Sequence, residues 1–199
     1  MQRENTEIRQ KQIKKAVLKI LAEEGLHRLT TRNLAGQIGL SEGALFRHFK
    51  SKRDILLGIM DDVQLEMVEP LRQIASSDRP APDRLSDFLR CHVRFLVENR
   101  GITILLFSEA AHFNDSALKG KMRTILLNLK QSVANIIRDG MAAGEWDPAL
   151  QVEDVTILYM GIPIALNVEL VLNPEGLRTE NFCVRMEELI RRALYKRQK

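Results

Sequence analysis

Apolar residues recur along nearly the whole chain at intervals of three and four positions, the spacing that places them on one face of an α-helix. The alternation of apolar and polar residues that is typical of a half-buried strand never persists. Breaks rich in glycine, proline and asparagine divide the pattern, so the sequence predicts an all-α fold with about nine helices. The expected helices cover about 5–24, 30–38, 41–49, 52–75, 83–99, a broken pair within 102–143, 152–172 and 179–196.

Two of these helices are short and lie between residues 31 and 50. Two short helices pack at an angle when a small residue lies where they cross and a glycine makes the turn between them. Ala35 and Gly39 meet these two needs. The apolar residues that fill the space between the helices are Leu34, Ile38, Leu40 and Leu45. The pattern indicates a helix-turn-helix, which the first helix completes to a three-helix head.

Positive charge is concentrated in the same part of the chain. Residues 1–53 contain twelve Lys or Arg against five Asp or Glu, whereas residues 54–199 contain eighteen against twenty-one. A basic head on an otherwise slightly acidic protein indicates a polyanionic partner at the head, and double-stranded DNA fits a helix-turn-helix. We therefore divide the chain into a DNA-binding domain, 1–53, and a second helical domain, 54–199.

The second short helix begins with residues suited to the major groove of DNA. Gly43 and Ala44 let the backbone approach closely, and Ser41 at the helix start is placed for a phosphate contact. Glu42 is costly beside DNA unless it accepts a hydrogen bond from a cytosine amino group or lies at the rim of the interface, and the sequence leaves both open. Donors to phosphates or guanine edges follow at Arg47, His48 and Lys52.

Residues 30–57, TTRNLAGQIGLSEGALFRHFKSKRDILL, resemble the DNA-binding signature of TetR-family transcriptional regulators. The shared features are the paired Thr, the Ala-to-Gly spacing, the Ser-x-Gly turn, the His-Phe pair and the Ser-Lys pair. The resemblance implies a homodimer that represses genes and is released by a small ligand. It further implies that Thr31 and Arg32 meet the backbone and groove edge, that Ala44, Arg47 and Glu42 face bases, and that His48 and Lys52 hold phosphates. The family often has Tyr where this chain has Phe46, so one phosphate hydrogen bond is missing. Phe46 is still expected to contact DNA, by packing or by touching a thymine methyl group.

The second domain is expected to bind a ligand and to dimerise. The helix over 152–172 is apolar on all sides, with Glu169 as the one charge after residue 154, and therefore needs cover on more than one side. The last helix has a single apolar stripe. We expect the two helices to pair with their symmetry mates, although plain core helices of a monomer would show the same pattern. The predicted interface residues are Val155, Ile162, Leu166, Phe182, Met186, Leu189 and Ile190.

His92 lies on the apolar face of the helix expected over 83–99. It is either a buried core histidine or a residue that contacts a ligand in a sensing cavity. The residues expected to line such a cavity are Met60, Met67, Phe88, His92, Phe95, Phe107, Tyr159 and Met160. Their apolar character predicts a small, largely apolar effector.

Several function classes are not supported by the sequence. It has no catalytic motif, and Glu109 with His112 lacks a third metal ligand nearby, so we expect neither an enzyme nor a metal or cofactor site. Two distant cysteines do not suggest a disulfide framework. The apolar run at 159–166 is far too short for a membrane span, and the N-terminus does not resemble a secretory signal, so we expect a cytoplasmic protein without a membrane partner.

Two functions remain open at this point. The first is a ligand-responsive regulator, expected to be a repressor released from a palindromic operator. The second is a DNA-bound interaction factor of the nucleoid-occlusion type, which acts through a protein partner and has a segment similar to LFRHFKSK.

Overall fold

The computed structural model describes residues 6–112, 115–173 and 181–195, and these residues fold into helices joined by turns. The α-helices are α1 Thr6–Glu24, α2 Thr31–Gln37, α3 Glu42–Leu45, α4 Lys52–Val63, α5 Glu69–Ala75, α6 Ala81–Glu98, α7 Ile102–His112, α8 Ser116–Ala142, α9 Val152–Leu172 and α10 Phe182–Leu194. A π-helical turn, Gln64–Val68, joins α4 to α5 without a break. With these three counted as one, the described residues contain nine helices, and the predicted all-α fold is confirmed.

Side-chain caps fix where the helices of the head begin. The hydroxyl oxygens of Thr30, Ser41 and Ser51 accept hydrogen bonds from backbone N–H groups in the first turns of α2, α3 and α4, at 3.1, 3.2 and 3.2 Å. Each bond satisfies a donor that has no partner inside its own helix. The caps hold α2 and α3 in the helix-turn-helix arrangement, and Gly39 makes the turn between them with φ 66°.

The helix-turn-helix packs on α1 through a closed apolar core. Ile13, Val17 and Ile20 of α1 are buried against Leu34 of α2 and Leu45 of α3. Residues at i, i+4 and i+7 share one helix face, so this packing uses the periodicity seen in the sequence. The opposite faces stay in solvent and carry the basic residues.

Two helices connect the head with the rest of the protein. Lys14 of α1 donates to Asp62 of α4 at 2.6 Å, and α4 continues through the π-helical turn into the body. Helix α7 begins against the head, because Gly101 at its start packs on Leu21 of α1. Gly101 has φ 77°, and a Cβ atom there would lie 3.1 Å from Leu21 Cδ2. Both features require glycine at this junction.

The body is a helical bundle around α8. Arg84 of α6 is buried, and its guanidinium donates to the Ala75 carbonyl at 2.8 Å and to Asp139 of α8 at 2.9 Å. Tyr159 of α9 donates its hydroxyl to the Leu85 carbonyl at 3.1 Å. These bonds satisfy polar groups that would otherwise be costly to bury.

Helix α9 is long and apolar enough to cross a membrane by length and composition alone. Its most apolar window of 18 residues has a mean hydropathy of 1.9, and 44% of that window is buried inside the protein. Tyr159 and Asn167 are among its buried polar residues. Packing against α6, α7 and α8 makes it a core helix of the bundle.

Candidate nucleic-acid interface and ligand cavity

Helix α3 and the residues that flank it carry predicted DNA-contacting residues on the outside of the head. Ser41, Gly43 and Arg47 are exposed, and Phe46 has 40% of its surface exposed. A Cβ atom built on Gly43 would meet no atom within 4 Å, so the backbone here is open to close approach. Ala44 is half-buried, and the Ser41 hydroxyl is already engaged as the cap of α3.

Glu42 of α3 is tied to α2 at the surface of the head. The Thr31 hydroxyl donates to its carboxylate at 2.6 Å, and Arg32 Nε lies 3.8 Å from the other carboxylate oxygen. The carboxylate therefore bridges the two helices of the helix-turn-helix and has its charge partnered there. Glu42 therefore joins α2 to α3, a role different from the two that the sequence left open. The same contact engages the Thr31 hydroxyl, which the family resemblance places at the DNA backbone.

The two residues predicted to hold phosphates are both partly covered. His48 is half-buried, and its Nδ1 is buried without a hydrogen-bond partner among the described residues. Lys52 Nζ donates to Glu109 of α7 at 3.0 Å, and 34% of the Lys52 side chain remains exposed. The head is thus tied to α7 through one of its own basic residues.

An apolar cavity of about 50 Å³ lies in the body, enclosed by the α4 end of the connecting helix and by α6, α7, α8 and α9. Five of the predicted ligand residues line it, namely Met67, His92, Phe95, Phe107 and Met160. Met60, Phe88 and Tyr159 are buried but do not line it. The lining residues that were not predicted include Val63, Ile102, Thr103, Leu106, Met122 and Pro163.

The cavity reaches the surface between α7 and α9. Phe107 and Ile164 both line it and have 40% and 45% of their surface exposed. Among the described residues, those that line the cavity carry no charged side chain. Water-filled cavities need several polar partners, so this lining favours apolar contents.

His92 is a buried polar residue in the lining of this cavity. Its side chain is buried, the Phe88 ring packs edge-on at 6.4 Å between centroids, and Nδ1 has no hydrogen-bond partner among the described residues. Burial lowers the pKa of His92 to about 4, so the imidazole is neutral near pH 7. A neutral imidazole with an unsatisfied nitrogen can form one hydrogen bond with a group inside the cavity.

The low pKa of His92 predicts a loss of stability in mild acid. Between its folded pKa of about 4 and the ordinary value of 6.5, the unfolded chain binds more protons than the folded chain. The free energy of unfolding therefore falls as the pH falls through this window. We expect a loss of about 2 kcal/mol from pH ~7.5 to pH ~5, measured by urea unfolding.

The control for this pH dependence is His92→Leu, which has no titrating group in the cavity and should lose the effect. Arg191 and Arg192 lower the pKa of Glu188 to about 2, so that carboxylate affects stability only below its ordinary value of 4.5. An unchanged pH dependence in the variant would show that another group is responsible.

A second candidate surface runs along α9. Large apolar residues repeat on its outer face and are 39–77% exposed, namely Ile157, Leu158, Ile164, Val168 and Leu172. Exposed Val184 and Leu189 lie on α10. Contiguous exposed apolar surface of this kind marks a site of association.

The predicted interface residues lie on different sides of these two helices. Leu189 is exposed, and Ile162, Phe182 and Met186 are half-buried. Val155, Leu166 and Ile190 are 8%, 2% and 7% exposed and belong to the core of the single chain, so they cannot face a partner. Their place on the exposed face is taken by Ile157, Leu158 and Val168.

No group of three or more His, Cys, Asp or Glu side chains suitable for a metal ion occurs among the described residues. Cys91 and Cys183 are both free thiols. His112 has no described side chain, so the Glu109–His112 pair considered in the sequence lies partly outside the described residues.

Two family models match the chain. Residues 13–59 match the model of bacterial regulatory proteins of the tetR family, and residues 78–166 match the tetracyclin repressor-like C-terminal domain. The nucleoid occlusion factor SlmA of Vibrio cholerae serotype O1 is 27% identical over 132 residues, which are 66% of this chain and 67% of that protein.

Solved structures share the whole fold. A bacterial regulatory protein in the tetR family from Rhodococcus RHA1 matches with a TM-score of 0.79 and 21% identity, over 95% of this chain and 98% of that chain. The transcriptional regulator FadR from Bacillus subtilis, solved in complex with stearoyl-CoA, matches with a TM-score of 0.68 and 21% identity. The match covers 95% of this chain and 99% of that chain. At these identities the matches show the fold.

Proposed function

Because the chain belongs to the TetR family of bacterial regulatory proteins, we propose that this DNA-binding regulator is a cytoplasmic homodimeric repressor that a small apolar molecule releases from a palindromic operator. The observation that carries the proposal is the apolar cavity, which α7 connects to the head. Helix α7 lines the cavity with Ile102 and Leu106 and contacts the head through Gly101 and Glu109. A ligand that repositions α7 would reposition the head as well.

The chemistry of the cavity supports an uncharged effector with a single hydrogen-bonding group. An ionised group would have to leave water for a lining without a counter-charge, which is costly. The unsatisfied Nδ1 of His92 favours one hydroxyl or carbonyl group at that position. The space of about 50 Å³ is smaller than such a molecule, so binding must move side chains. The lining contains Met67, Met122 and Met160, whose unbranched, flexible side chains can change conformation to make room.

Matched probes test the ligand class. 1-Octanol and octanoate have equal chain lengths but differ in charge near pH 7. We expect 1-octanol to raise the melting temperature in a concentration-dependent manner. The same shift should require an octanoate concentration at least ~10-fold higher. The His92→Leu variant should bind 1-octanol more weakly. Tighter binding of octanoate would rule out an uncharged effector.

Selection of bound sequences from a random DNA pool tests the regulator itself. A dimer that reads two half-sites should enrich a palindrome whose half-sites are centred about one helical turn, or a multiple of it, apart. Addition of 1-octanol should lower the affinity for the enriched duplex. If the selection enriches no motif, an operator-binding repressor is ruled out.

The second candidate function is a DNA-bound factor that acts through a protein partner. Its support is the likeness to SlmA, a nucleoid occlusion factor, over two thirds of the chain. Such a factor also binds DNA, so enrichment of a palindrome alone does not separate the two. An effect of 1-octanol on the DNA complex favours the repressor. Its absence, together with a partner protein captured only when DNA is present, favours the second function.

A further inference from the structure

The ion pair between Lys52 and Glu109 joins a basic residue of the head to an acid of the body. Lys52 is the first residue of α4 and lies after α3, within the basic segment 47–53, which also contains Arg47, Lys50 and Arg53. Glu109 lies 57 positions later, on α7. The pair is thus made only when the head is docked against α7.

The Glu109 side chain is almost fully enclosed. It is 7% exposed, Oε1 accepts the Lys52 hydrogen bond at 3.0 Å, and Oε2 has no hydrogen-bond partner among the described residues. A buried carboxylate needs a cation, and Lys52 supplies the charge. In contrast, 34% of the Lys52 side chain is exposed, and its flexible stem allows the ammonium to turn outward.

We propose that Glu109 competes with a DNA phosphate for Lys52 and so holds this lysine away from DNA. Glu109 is then a positioning residue that lowers the affinity of the head for DNA of any sequence. Because Ile102, Leu106 and Glu109 recur on one face of α7, the helix face that lines the cavity also carries the competing carboxylate. The inference rests on the proposed DNA-binding function and concerns how tightly the head binds DNA.

Glu109→Gln tests the competition because it removes the charge and keeps the shape of the side chain. The carboxylate charge would then no longer hold the Lys52 ammonium at α7. We expect the variant to bind a ~30-bp duplex of arbitrary sequence roughly three- to tenfold more tightly at ~0.1 M salt, with a salt slope steeper by about 0.9. The measurement is fluorescence anisotropy over a range of salt concentrations.

Two further variants make the result specific. Asp61→Asn removes an equal charge from α4 by breaking its ion pair with Lys121 of α8 and leaves Lys52 untouched, so it should give at most a small gain. The double variant Glu109→Gln with Lys52→Ala should lose the gain of the single variant. Circular dichroism and melting temperature verify that each variant is folded.

The outcomes separate this inference from the proposed function. If the unmodified protein binds no DNA, the proposed function fails. If it binds DNA but Glu109→Gln binds no more tightly, or if Asp61→Asn gives the same gain, the competition is absent and the proposed function stands. A gain that survives Lys52→Ala would also overturn the inference.

Discussion

Leu158→Asp on the outer face of α9 should convert a dimer into a monomer and weaken binding to a palindromic operator by about 10²- to 10⁴-fold. Leu158 is 58% exposed and lies among the other exposed apolar residues of this face. In a twofold interface the substitution occurs on both subunits, so it removes apolar contact twice and buries two carboxylates without a counter-charge. The loss in DNA binding follows because each head then binds its half-site without the second. Analytical ultracentrifugation and titration of the duplex measure both effects.

A matched control uses an equally exposed leucine elsewhere. Leu65, in the π-helical turn, is 69% exposed, and Leu65→Asp makes the same chemical change away from α9. This variant should keep the mass and the operator affinity of the unmodified protein. An unmodified protein that sediments as a monomer, or a Leu158→Asp variant that remains a dimer, would contradict the proposed interface.

The head could be predicted from sequence because its determinants are local. Thr30, Ser41 and Ser51 cap helices within three residues of themselves, and Gly39 makes the turn between two helices. Such signals depend on short spacings that can be read directly from the chain. The predicted helix limits differ from those of the structure by a few residues. Residues 5, 179, 180 and 196, at the predicted ends of the first and last helices, lie outside the described residues.

The exposed face of α9 could not be identified in the same way. Its apolar residues occur all around the helix, so periodicity gives no preferred side. Only the packing of α6, α7 and α8 determines that Val155 and Leu166 are inside and that Ile157 and Leu158 are outside. Val155 and Leu166, two of the interface residues predicted on α9, therefore lie on its buried side.

The ion pair and the cavity depend equally on tertiary packing. Lys52 and Glu109 are 57 positions apart, so no local signal links them. His92 was placed on the apolar face of its helix by periodicity, but its free Nδ1 becomes visible only when the neighbouring helices are in place. The spacing of Ile102, Leu106 and Glu109 puts them on one face of α7, but only the packed structure shows that this face meets both the cavity and Lys52.

Gly140→Val in α8 should lower the free energy of unfolding by about 3 to 5 kcal/mol, comparable to removing a buried tryptophan. A Cβ atom at Gly140 would lie 2.5 Å from Trp146 Cζ3, and the tryptophan is only 4% exposed. Neither the helix backbone nor the rigid ring can move far enough within the packed core to relieve this overlap, so the ring must leave its site. Trp146 is the single tryptophan of the chain, so its fluorescence should shift to the red while urea unfolding measures the loss of stability.

Gly120→Ala on the same helix separates the steric effect from helix propensity. A Cβ atom there would meet no atom within 4 Å, so the change should stabilise the protein by about 0.5 to 1 kcal/mol, because alanine favours a helix more than glycine. Opposite signs at two glycines of one helix would arise only if Gly140 is needed for the approach of Trp146. A stable Gly140→Val variant with unshifted fluorescence would mean that the ring does not pack on this glycine.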